Sequence, residues 1–162
     1  MHPRSSILAV AAIGLLSLAA AAPVGAANPP GNNGTVKVDH EVFDDLPDNE
    51  PHAGCIFQVD FYGFDQGNLF ADVRFVVQPP TGKAVTLQTD NGVFIGEDAA
   101  GGGTDLDATR DYDLTDALTA FDPHPQQGYH VKVAVRADGS QGAQTKYKVF
   151  WTGTCEVPPP PV

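Results

Sequence analysis

The residues GYHVKVAVRADGSQGAQTKYKVFWTGTC, Gly128–Cys155, alternate apolar and polar side chains on both sides of a glycine-rich break. A period of two marks a half-buried β-strand, because successive side chains point to opposite faces of a sheet. Tyr129, Val131, Val133 and Val135 share one face of the first arm. Tyr147, Val149 and Trp151 share one face of the second. Asp138-Gly139 opens the break, a pair that accepts the backbone conformations of a tight hairpin. The stretch is expected to be a hairpin with Lys132, Arg136, Lys146, Lys148 and Phe150 on its outward side.

The same period recurs upstream. CIFQVDFYGF (Cys55–Phe64) sets Cys55, Phe57, Val59 and Phe61 against Gln58, Asp60 and Tyr62. FADVRFVVQ (Phe70–Gln78) sets Ala71, Val73, Phe75 and Val77 inward. GTVKVDHEVF (Gly34–Phe43) reads as an earlier strand with Val36, Val38, His40 and Val42 together. AVTLQT and GVFIGE read as two strands split at Asp90-Asn91-Gly92, where Asn-Gly favours a hairpin turn. DLDATRDYDL is strand-like, and TDALTAF suits a short helix capped by Thr115 and stopped by Pro123. About eight short strands with regular turns and little helix predict an all-β, Greek-key sandwich of the immunoglobulin or fibronectin III type.

The remaining segments frame that domain. After His2 and Arg4, residues 7–22 are a predominantly apolar run that ends in AAPVGAAN. A positive start, a short apolar core and small residues at a cleavage site define a secretory signal peptide. The expected organisation is signal peptide 1–27, flexible leader 28–33, sandwich 34–156 and proline-rich tail 157–162. No membrane span is expected after signal cleavage, and the expected location is extracellular or loosely wall-associated.

Of 162 residues, 20 are acidic and 9 basic, a net charge of −11. Such a surface repels nucleic acid, and no nucleic-acid partner is expected. Cys55 and Cys155 are the only cysteines. In an exported chain they predict a disulfide, with two free thiols as the alternative.

Chemistry can be sorted by inventory. Ser140, in the hairpin break, is the only serine beyond residue 27. A glycine-flanked turn does not hold a nucleophile rigidly beside a histidine. No catalytic residues are therefore assigned, and with so many carboxylates a chance pair is uninformative. His40, His52, His124 and His130 form no local pair with metal-ligand spacing. Calcium takes oxygen ligands from loops, and Glu97, Asp98, Asp105 and Asp107 flank a glycine run that could supply such a site. No other cofactor is expected. Half the basic residues beyond residue 27 fall on the Gly128–Cys155 ribbon: Lys132, Arg136, Lys146 and Lys148. They suit edge protection, pairing with acidic neighbours, or an anionic cell-wall polymer or acidic protein surface anchored on Phe150.

The stretches GNNGTVKV, PDNEPHAGC, QVDFYGFDQG, VFIGEDAAGGGTDLDA, PHPQQGYHVKV and ADGSQGAQTKYKVFW resemble a group of secreted and wall-associated proteins of actinobacteria. The resemblance implies export and an envelope setting, and it carries over no catalytic residues. The expected function is a non-enzymatic binding or surface-interaction module. A small carboxylate-dependent hydrolase of wall polysaccharide and a calcium-stabilised adhesin-like module are the alternatives.

Overall fold

The structure, a computed structural model, describes residues 34–99, 101–140 and 143–155. The expected signal peptide, leader and proline-rich tail lie outside the described residues. Seven strands form two antiparallel sheets: β1 (Thr35–His40), β2 (Ile56–Tyr62), β3 (Phe70–Val77), β4 (Thr86–Phe94), β5 (Leu106–Asp113), β6 (His130–Ala137) and β7 (Thr145–Trp151). One sheet has the order β1-β2-β5 and the other β4-β3-β6-β7. The chain crosses between sheets after β2, β4 and β5. No helix among the described residues is long and apolar enough to cross a membrane.

Alternation builds the core. Phe57, Val59 and Phe61 from β2 meet Val73, Phe75 and Val77 from β3, all buried. Phe57 is the hub, with ring centroids 5.3 Å from Phe75, 4.8 Å from Phe150 and 6.0 Å from Tyr112. The contacts with Phe75 and Phe150 join the two sheets, and that with Tyr112 lies within one. Each such ring contributes roughly 1.5–3 kcal/mol on burial. The Cys55–Cys155 disulfide is formed, with Cα atoms 5.6 Å apart. It ties the start of β2 to the chain just beyond β7.

Several local expectations are corrected. Residues 84–97 do not form a hairpin; β4 is one strand. Ala71 pairs with Val93 and Val73 with Asp90, so β4 carries one extra residue there. Asn91-Gly92 makes a bulge, with Gly92 at φ 77°, a conformation a glycine adopts without a Cβ clash. With residues 84–97 forming one strand and not two, the count is seven, within the expected seven to eight. The helix α1 is a single turn, Thr115–Leu118, and Leu114, not Thr115, is its cap. Asp113 instead accepts the Thr115 amide at 2.8 Å. The first strand ends at His40, and Val42 is exposed.

Candidate functional site

Strand β7 decides which side chains the molecule shows. Its register pairs Phe150 with Val131, Lys148 with Val133 and Lys146 with Val135. Those valines are buried, so Phe150, Lys148 and Lys146 share the inner face. Phe150 is buried against Phe57, whereas Tyr147 is 58% and Val149 44% exposed. The expected outward stripe of Lys132, Arg136, Lys146, Lys148 and Phe150 is therefore split between two faces. Only Lys132 and Arg136 look outward. β7 is an edge strand, where a half-buried lysine covers apolar surface with its stem. Burial lowers the pKa of Lys146, and burial followed by the charge of Lys37 lowers that of Lys148.

The outward face of the four-stranded sheet has a regular grid. One row across the strands is Thr89, Arg74, Ala134 and Tyr147. The next is Asp72, Arg136 and Thr145, and on the other side lie Val76, Lys132 and Val149. Ala134 is small and sits among long side chains, so the face sinks there. The result is a hollow of about 280 Å³ lined by Asp72, Arg74, Thr89, Asn91, Ala134, Arg136, Thr145 and Tyr147. The Lys132 ammonium lies 5.3 Å from the Tyr147 ring centroid, a cation–π contact.

Charge makes this face unusual for the chain. Among the described residues, Arg74, Lys132 and Arg136 form no ion pair. The nearby Asp72 accepts the Gly92 amide of the β4 bulge at 3.3 Å. Two guanidiniums and an ammonium thus surround an aromatic ring and hydroxyls. Guanidinium presents a planar fork suited to carboxylate and phosphate oxygens. Arg74 and Tyr147 were missed as members of this set. The outward alternation of FADVRFVVQ contained the signal for Arg74, but the misassigned face of β7 hid Tyr147.

Beyond Lys132 the same face ends at Trp151, which pairs with His130. The two rings stack with centroids 4.2 Å apart and planes within 14°. A carbonyl only accepts, so His130 Nδ1 donates to the Pro79 oxygen at 2.6 Å. That bond fixes the ring orientation and leaves Nε2 as the other ring nitrogen.

A second concavity, about 350 Å³, adjoins the disulfide and is lined by His40, Glu41, His52, Thr115, Thr152 and Thr154 among others. Among the described residues that line it, Glu41 is the one carboxylate. His40 is engaged with Glu50: its amide donates to Glu50 at 2.7 Å and its ring pairs with the same carboxylate. The His40 amide bond holds the Glu50 pKa down, while burial holds that of Asp39 up.

Two buried carboxylates stand apart. Asp60 lies on the outward face of the three-stranded sheet yet is fully buried, with neither oxygen hydrogen-bonded. Burial, then the charges of Asp39, Asp45, Asp44 and Asp111, push its pKa up to about 7. The alternation of β2 placed Asp60 and Tyr62 outward without indicating that they are covered. The second is Asp107, which the structure brings together with Asp98 and Asp105. Glu97, expected in the same loop, is exposed and outside that group. Compared with protein-family models, curated proteins and solved structures, the chain matches none.

Proposed function

We propose that the protein is an exported, non-enzymatic, immunoglobulin-like sandwich of the bacterial envelope that binds an anionic wall polymer. The binding surface in this reading is the outward face of the four-stranded sheet. What supports it is one observation: Arg74 and Arg136, neither in an ion pair among the described residues, line a hollow floored by Ala134, with Lys132 against the Tyr147 ring at its wall, on a chain of net charge −11. Arg74 and Arg136 hold anionic groups of the polymer, and Tyr147 offers a flat apolar surface. The acidic remainder of the molecule keeps it off anionic surfaces in other orientations. The sequence resemblance to actinobacterial secreted proteins supports the envelope setting.

The test is co-sedimentation of the mature protein with isolated bacterial walls over a range of salt. The reading expects binding that weakens as salt screens the contacts, without release of soluble wall fragments. Arg74→Ala with Arg136→Ala should abolish it, and Lys146→Ala with Lys148→Ala should leave it intact. Release of fragments would favour a wall hydrolase. Absence of binding at low salt, or binding indifferent to the arginine pair, contradicts the proposal.

A further inference from the structure

We propose that Asp98, Asp105 and Asp107 form a calcium-binding site where the chain enters β5. One carboxylate oxygen from each lies within 4.8 Å of the others. Such proximity alone is common among surface acids. The second observation is Asp107 itself, only 4% exposed. Its Oδ2 accepts the Phe64 amide at 2.8 Å, while its buried Oδ1 has no hydrogen-bond partner. A buried carboxylate oxygen without a donor is costly unless a proton or a cation neutralises it, and two further carboxylates beside it favour a cation.

Local structure explains why Asp107 points there. Phe61 pairs with Ala108 and Tyr62 with Leu106, so Asp107 is an extra residue in β5. A bulge of this kind re-aims a side chain out of the regular alternation. Asp105 is held in place by its backbone: its carbonyl accepts the Gly63 amide at 2.8 Å, and its amide donates to Gly102 at 3.2 Å. Among the described residues, no basic side chain forms an ion pair with any of the three. The donors are all oxygens: Asp107 is oriented by the Phe64 amide, Asp105 Oδ2 accepts the amide of Gly101 in the glycine-rich loop, and Asp98 is exposed. Hard oxygen donors in an adaptable loop suit calcium rather than zinc, and suit it better than magnesium, which demands a near-ideal octahedron. The Asp39, His40 and Glu50 group differs, because His40 already pairs with Glu50.

The experiment uses mature protein stripped with a chelator and then titrated calorimetrically with calcium chloride. The expected result is saturable binding of one ion per chain and a melting temperature that rises with calcium, since a ligand held only by the native state stabilises it. Asp107→Asn could disturb folding through Phe64, so the decisive variant is Asp98→Asn. Asp98 is exposed. This variant should melt like the metal-free wild type and bind calcium weaker by roughly tenfold or more. Equal melting temperatures in chelator and in millimolar calcium would overturn the proposal, as would unchanged affinity in Asp98→Asn. Magnesium binding as tightly as calcium would overturn the assignment of the ion.

Discussion

Asp60 is the residue with the largest consequence for solution behaviour. Its folded pKa, about 7, lies above the ordinary 3.8. A group raised in this way favours the folded state fully below the unfolded pKa, and that contribution is lost as pH rises through the folded value. Stability is therefore expected to fall between about pH 4 and pH 7, by roughly 2–4 kcal/mol from this residue. Denaturant melts of wild type and Asp60→Asn across that window check it: the variant should show a flatter profile. Profiles of equal slope would mean that Asp60 reaches water. The alternation of CIFQVDFYGF assigned Asp60 to the correct face, but a period of two says nothing of what lies over that face. Gly128 makes a second residue-level case. It has φ 74°, and a Cβ there would fall 1.7 Å from the Gly153 carbonyl oxygen. Gly128→Ala should cost about 3 kcal/mol or more, because backbone and not a flexible side chain must move. A thermal melt within a degree or two of wild type would contradict that packing.

At the level of elements, β7 was the hardest to read and matters most. In TKYKVFW one face offers Tyr147, Val149 and Trp151, the other Phe150 with two lysines. Apolar content favours the first set as the buried one. The sheet chooses the second, because pairing with β6 is fixed by the hairpin and a one-residue slip would move every side chain to the other face. Edge strands tolerate inward lysines, which also discourage pairing with another chain. β2, β3 and β6 were legible because they are interior strands whose apolar faces are unbroken. The two-strand reading of residues 84–97 failed because Asn-Gly serves a bulge as readily as a hairpin. The register carries a direct test. Phe150→Ala should destabilise by about 3–5 kcal/mol, and Tyr147→Ala by less than about 1 kcal/mol. The reverse order in urea unfolding would restore the face expected from apolar content. Lys146→Val with Lys148→Val should promote association, read by light scattering.

On the scale of the whole molecule, two features set the account. The disulfide closes a separation of 100 residues, worth roughly 4–5 kcal/mol in the chain-entropy model. Reduction should lower the melting temperature markedly, and equal melting of the oxidised and reduced protein would show that it constrains little. The second feature is the uneven distribution of charge. Arg74, Lys132 and Arg136 share the outward face of the four-stranded sheet of an acidic chain, the surface proposed to meet an anionic polymer. Half of that face was legible from alternation, as Lys132 and Arg136; the hollow itself required the register of four strands. The most direct measurement is a nuclear magnetic resonance titration of the mature protein with an anionic wall-polymer fragment. Amide shifts are expected to cluster at Arg74, Ala134, Arg136 and Tyr147, with no comparable shifts at Lys37, Lys146 or Lys148. Shifts centred on that lysine edge, or none at all under low salt, would contradict the proposed surface.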